Sequence, residues 1–161
     1  MNFDQAFVKL VNSDHEGGYV DDPEDPGGET NFGISKRSYP EEDIKNMTLE
    51  RAKLLYKRDF WGPAGCDALP EVMKFQMFDL AVNTSARSKP TTAIKLLQMA
   101  VGANVDGQLG PKTLMAVQSM NPDKALRRLQ GLALRRYASL ANWPRFGRGW
   151  VNRLALNMID A

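Results

Sequence analysis

Two carboxylates and a hydroxyl near the N-terminus have the types and spacing that glycosidic bond cleavage needs. Glu16 stands in His15-Glu16-Gly17-Gly18-Tyr19, at the end of an amphipathic segment. Asp25 follows nine residues later in a Gly/Pro-rich stretch that runs to Ile34, and Thr30 comes five residues after that. Breaking a glycosidic bond takes a protonated acid at the leaving oxygen and a second polar group on the far side of the sugar. A helix end and a hairpin can hold such groups across a cleft. If a water must fit between two carboxyls they should stand about 6.5–9.5 Å apart, and the product is inverted. The plainer reading of Glu16 is a solvated helix-end side chain. That of Asp25 is a turn residue bonding its own backbone. Asp21, Asp22, Glu24 and Glu29 crowd Asp25, and Asp22 competes with it as the second carboxylate. Asp21, Asp22, Glu24 and Asp25 could instead offer oxygens to calcium, although their spacing is not that of an EF-hand.

The elements that must position these groups can be read from periodicity. Asn2 or Asp4 can cap a helix running to about His15, with Phe3, Phe7, Leu10 and Val11 on one stripe. Gly17-Gly18 stops it. Glu16 then lies at the C-terminal end, where the helix dipole disfavours negative charge and favours a protonated carboxyl. Residues 18–38 hold Pro23, Pro26 and several glycines between Tyr19, Val20, Phe32 and Ile34, the pattern of a small hairpin. Thr48 caps a helix to about Phe60, with Leu49, Ala52, Leu55, Tyr56 and Phe60 inward. Pro70 opens a helix over Glu71 to about Asn83 that is apolar on nearly every face and should be central. Asp79 and Asn83 share one face of it at i, i+4 and need partners there. Residues 90–102, 111–120, 122–141 and 146–159 complete a mostly helical chain.

Composition narrows the classes. The chain has 161 residues, 43% of them hydrophobic and 25% charged, as in an ordinary globular protein. It has no apolar run long enough to span a bilayer and no basic-then-apolar N-terminal leader, so neither membrane insertion nor a signal peptide is expected. One cysteine, Cys66, and one histidine make an internal disulfide or a zinc site a poor expectation. The net charge of +2 hides a gradient. Residues 1–50 hold 12 acidic and 4 basic side chains, whereas residues 124–161 hold 8 basic and 1 acidic. That arginine-rich end is either a set of solvated helix faces or a surface for a polyanion.

The Glu16 block, with the glycines of Asp25–Ile34 in step, resembles the muramidases built around a Glu-Gly-Gly-Tyr motif, glycoside hydrolase family 108, found mostly as bacteriophage endolysins. The resemblance implies a lysozyme-like α+β fold, mostly helical, with a small N-terminal β-hairpin lobe. It implies an N-acetylmuramidase that cleaves the β-1,4 bond between N-acetylmuramic acid and N-acetylglucosamine in peptidoglycan, with Glu16 as the acid. Glu16, Asp25 and Thr30 also resemble the Glu–Asp–Thr constellation of phage lysozymes. There Asp25 would be base or electrostatic stabiliser and Thr30 would position a water. Phe78-Asp79-Leu80-Ala81-Val82-Asn83 is similar to the family's central helix, whose Asn faces the sugar cleft. Tyr19, Tyr56, Asp79 and Asn83 are therefore candidate substrate-binding residues, with packing the stronger reading for Tyr56 and Trp61. Leu97-Gln98 with Asp106-Gly107-Gln108-Leu109-Gly110-Pro111-Lys112-Thr113 resembles peptidoglycan-binding helical modules. Phe146-Gly147-Arg148-Gly149-Trp150-Val151-Asn152-Arg153-Leu154 resembles the C-terminal region usual in the family. This divides the chain into a hydrolase region, 1–88, and a peptidoglycan-binding-like region, 89–161, expected to pack into one globule.

No cofactor or metal is implied. The expected partner is peptidoglycan, with the arginine-rich end a candidate surface for an anionic envelope. The chain is expected to be a monomer and not to bind nucleic acid. It would be stored in the host cytoplasm and reach the periplasmic wall on release at lysis. The competing readings are a lytic transglycosylase using Glu16 alone, a non-catalytic wall-binding protein, and a nucleic-acid binder resting only on the basic C-terminus.

Overall fold

The computed structural model describes residues 1–12, 18–21 and 28–159. Among these, the order of elements is α1 (Phe3–Asn12), β1 (Thr30–Asn31), β2 (Ile34–Ser35), α2 (Leu49–Tyr56), α3 (Glu71–Thr84), α4 (Thr91–Val101), α5 (Pro111–Ser119), α6 (Pro122–Ala138) and α7 (Trp143–Ile159). The class is α+β with a dominant helical part, and the only sheet among the described residues is the two-stranded hairpin. α2 runs on into a π turn over Lys57–Trp61, and a 3-10 turn spans Cys66–Ala68.

Local chemistry explains where the helices start. Asn2 Oδ1 accepts from Gln5 N at 3.0 Å while Gln5 Oε1 accepts from Asn2 N at 2.9 Å, a reciprocal capping box that opens α1. Thr48 caps α2 by accepting from Arg51 N at 3.1 Å. Asn121 accepts from Lys124 N at 3.0 Å, and Pro122 takes the first turn of α6, where its missing N–H costs nothing.

α3 is the central helix, as its apolar faces lead one to expect. Met73, Phe75, Met77, Phe78, Leu80 and Ala81 are buried along it. Val72, at 42% exposure, is not, so the helix keeps one open edge near its start. Against it sit the rings of Phe3, Tyr56 and Trp61, with the Phe3–Trp61 and Trp61–Phe78 centroids both 5.5 Å apart and edge-on. Such edge-to-face pairs add about 0.5–1.5 kcal/mol each beyond their buried area. On its other sides α3 packs on α4 and α6, and α6 packs on α7. The buried apolar residues of both halves of the chain form one cluster. Leu49, expected inward, is exposed, because α2 offers only Ala52, Leu55 and Tyr56 to the core. No helix among the described residues is long and apolar enough to cross a membrane.

The Leu-Gln … Asp-Gly pattern has a structural explanation. Gln98 is fully buried on α4. Its Nε2 donates to Asp106 Oδ1 at 2.7 Å, Gln108 O at 3.0 Å and Thr113 Oγ1 at 3.1 Å, and its Oε1 accepts from Gly107 N at 2.9 Å. One amide thus clasps the whole turn leading into α5. Gly107 has φ +78°, and a Cβ there would lie 2.7 Å from Thr91 Cγ2, so both backbone and space demand glycine. Gly110 is different: its φ is −106°, and no left-handed conformation is needed there. Gln98→Leu should lower stability by about 1–3 kcal/mol, since the Gly107 N–H and its neighbours lose a buried partner. Urea unfolding measures this, and a change below a few tenths would show that water replaces the clasp.

Candidate active site

The hairpin is built around a strained turn. Thr30 pairs with Ser35 and Asn31 with Ile34, leaving Phe32-Gly33 as the two-residue connection. Both connecting residues have positive φ, +48° for Phe32 and +74° for Gly33, as a hairpin of this length favours. For a phenylalanine that conformation costs on the order of 1–2 kcal/mol. Tyr56 from α2 holds it, its hydroxyl donating to Phe32 O at 3.1 Å. Asn31 is buried and its Nδ2 donates to Ile44 O at 3.1 Å, anchoring the other side of the turn. Thr30 exchanges both backbone hydrogen bonds with Val20, at 2.7 and 2.8 Å. Among the described residues its hydroxyl has a long 3.5 Å contact to Gly28 O and no better partner. Tyr19, 41% exposed, donates from its hydroxyl to Glu29 Oε2 at 3.1 Å.

The polar face of α3 meets α7. Asp79 is 2% exposed. Its Oδ1 accepts from Arg153 Nε at 2.9 Å and from Asn83 Nδ2 at 3.1 Å, and its Oδ2 accepts from Asn157 Nδ2 at 3.0 Å. Arg153 reaches on to Asn83, donating from Nη1 to Oδ1 at 2.8 Å. Asn83 is exposed, so its amide is presented outward while Arg153 and Asp79 fix both ends of it. Burial and the negative charge of Asp79 push the Tyr137 phenol up to about 12.

A cleft of about 350 Å³ lies between the hairpin turn and the C-terminal end of α3, lined by Gly33, Ile34, Tyr56, Val82, Ser85 and Arg87 among others. Ser85 Oγ is buried there with no hydrogen-bond partner among the described residues. Behind the cleft stands Asp59, 2% exposed in the π turn. It accepts from Arg58 at 2.6 and 2.8 Å, from Ser88 Oγ at 2.7 Å and from Arg87 Nε at 3.1 Å. Arg87 in turn lies over the Tyr39 ring, 4.1 Å from its centroid. Burial alone would raise the Asp59 pKa, but the hydrogen bonds from Arg58 and Ser88 outweigh it and hold the carboxyl well below its ordinary value. Asp59 is therefore ionised near neutral pH and unsuited to donate a proton there. A folded-state pKa below the unfolded one gives stability that is complete above the ordinary carboxylate range and is lost as the pH falls, from about pH 5 downward. Tm should fall less steeply between pH 5 and 3 in Asp59→Asn than in the wild type, and equal slopes in calorimetry would refute the assignment.

Comparison with known proteins places this geometry. Residues 11–84 match the family described as glycosyl hydrolase 108, and residues 92–155 match one described as a predicted peptidoglycan domain. The solved structure of Brucella abortus SagA is 31% identical, covers 96% of this chain and 90% of its own, and superposes with a TM-score of 0.85. The chain belongs to the glycosyl hydrolase 108 family. No curated protein matches it by sequence. Its two matched regions make this glycosyl hydrolase 108 protein a glycoside hydrolase of peptidoglycan, and the fold is the lysozyme-like one expected.

Of the site residues expected in this family member, Glu16 and Asp25 lie outside the described residues, as do Asp22 and Glu24 of the alternative calcium cluster. Thr30 and Tyr19 stand on or beside the hairpin, and Asn83 ends the polar face of α3. Tyr56 and Asp79 are buried. Tyr56, 1% exposed at the wall of the cleft, bonds Phe32, and Asp79 is 2% exposed and bonds Asn83. Two arginines of the basic C-terminal end have structural partners. Arg153 is the half-buried partner of Asp79, and Arg128 donates to the carbonyls of Met99 and Ala100 at the end of α4. Asp59 and its arginines were missed altogether. Their only sequence signal was a charged pair, Arg58-Asp59, inside a helix pattern that otherwise reads as amphipathic.

Proposed function

We propose that the chain is an N-acetylmuramidase that hydrolyses the β-1,4 bond between N-acetylmuramic acid and N-acetylglucosamine. Glu16 donates a proton to the leaving oxygen. Asp25 acts across the sugar as base or as electrostatic stabiliser, and Thr30 holds the attacking water. The observation that carries this reading is membership of a glycoside hydrolase family together with a hairpin on which the Thr30 hydroxyl makes only a long contact among the described residues. Tyr19 and Asn83 contact the glycan, with Arg153 setting the amide of Asn83. A second polar group serves hydrolysis, whereas a transglycosylase needs only the acid and closes the sugar on itself.

We further infer the role of a phage endolysin, held as a monomer in the host cytoplasm and released to the wall at lysis. The test is mass spectrometry of sacculi digested by the purified protein. Hydrolysis leaves reducing muramic acid ends, and a transglycosylase leaves anhydro ends. Fragments ending in reducing glucosamine would move the cut to the other glycosidic bond. An absence of new ends would leave a wall-binding protein.

A further inference from the structure

The outer face of α7 carries a notch lined, among the described residues, by that helix alone, with Trp143, Gly147, Arg148, Gly149 and Asn152 around it. Its shape comes from glycine. A Cβ at Gly147 would stand 2.5 Å from Trp143 Cδ2, so only glycine lets the indole lie across the helix backbone. At Gly149 a Cβ would meet nothing within 4 Å, and the notch stays open there. Trp143 remains partly exposed. Arg148 and Asn152 are exposed, one helical turn apart, and make no hydrogen bond or ion pair among the described residues. A ring fixed in place, an exposed amide and an exposed guanidinium thus line one notch on a helix that contains no acidic residue.

This set matches an anionic, N-acetylated glycan. Indole faces cover the apolar side of a sugar ring at low entropic cost. An asparagine amide can both donate to and accept from an acetamido group. A guanidinium recognises a carboxylate in bidentate fashion. Acidic groups, which would repel such a polymer, are absent from the helix. The notch is also linked to the hydrolase half, since Arg153, the residue after Asn152, ties to Asp79 and Asn83 of α3. We propose that the α7 notch is a remote glycan subsite: it grips a peptidoglycan strand away from the bond that is cut, with Arg148 on a strand carboxylate, Asn152 on an acetamido group and Trp143 against a sugar ring. The proposal rests on the muramidase reading only in taking the same polymer as ligand.

The test uses the full chain in two arms. In the first, Glu16→Gln protein is co-sedimented with purified sacculi, with and without Arg148→Ala/Asn152→Ala, Trp143→Ala and Trp143→Phe. Loss of a bidentate contact and an amide contact should weaken binding by about tenfold or more. Trp143→Ala should do the same, and Trp143→Phe, which keeps an aromatic face, should recover most of it. Melting temperatures identify any variant that has merely unfolded. In the second arm, active enzyme is compared on long and short glycan strands, and the ratio of the two kcat/KM values should fall in the notch variants. Unchanged affinity and an unchanged ratio overturn the subsite while leaving the enzyme reading intact if the wild type still releases reducing ends. Failure of the wild type to release them overturns the enzyme reading, and the binding arm still decides the notch. Binding to phosphatidylglycerol vesicles that is lost in the same variants, with sacculus binding unaffected, would assign the notch to a lipid surface and overturn the proposal.

Discussion

Glu16→Gln should leave a folded protein that no longer opens peptidoglycan. The substitution keeps the size and planarity of the side chain and removes the one proton it could donate. General-acid catalysis contributes about 10²–10⁴-fold, so residual release of reducing ends should fall by that factor. The sequence expectation that Glu16 ends the first helix favours this role over that of a solvated charge. A carboxyl near a helix C-terminus meets the negative end of the dipole, which favours the protonated form. The experiment is reducing-end release from sacculi at several pH values, with circular dichroism as the control. Activity within a few-fold of wild type in a folded variant would remove Glu16 from the mechanism.

Arg153→Met should be among the most destabilising single changes in the molecule. It keeps much of the stem's apolar packing and removes the charge that faces Asp79 across the α3–α7 contact. Breaking a buried pair by deleting one partner costs about 3–5 kcal/mol, because the other charge stays behind without compensation. For a protein of this size that corresponds to a Tm drop of roughly 6–20 °C. Asp79→Asn in the same background should restore part of the loss, as expected when two residues are directly coupled. Asn83 also loses the donor that fixes its carbonyl, so KM should rise in whatever protein remains folded. A Tm within about 1 °C of wild type would mean that water solvates Asp79 and that the pair is ornamental.

Much of this architecture was readable from local pattern. The Thr48 cap, the Pro70 and Pro122 starts and the apolar wrap of α3 all depend on residues within one or two turns of each other, and the structure places them accordingly. Asp79 and Asn83 were legible as a polar pair on an apolar helix, because i, i+4 spacing is itself local. Their partner was not. Arg153 lies 74 residues beyond Asp79, and an arginine on an amphipathic helix reads as solvated until something shows what faces it. The same limit hid the Asp59 cluster, which draws Arg87 and Ser88 from the loop after α3. The Phe32-Gly33 turn was half legible. Gly33 marks it, but a phenylalanine at positive φ becomes tolerable only once Tyr56, from another element, bonds its carbonyl.

The single core shared by α3, α4, α6 and α7 bears on how such enzymes can be recombined. Two adjoining family matches invite the view of a catalytic cassette followed by an exchangeable wall-binding one. Here the joint runs through the interior. Gln130 of α6 donates to Gln76 of α3 at 3.3 Å, and Arg153 and Asn157 of α7 share Asp79. A crossover at residues 85–90 would marry an α3 cut for one set of partners to an α6 and α7 cut for another. Chimeras made at that point inherit unmatched amides and a stranded carboxylate in their middle. Transplanting wall specificity into this scaffold therefore calls for grafting surface residues of α7 onto the intact chain, with Gln76, Asp79, Gln130, Arg153 and Asn157 carried together as one inseparable set.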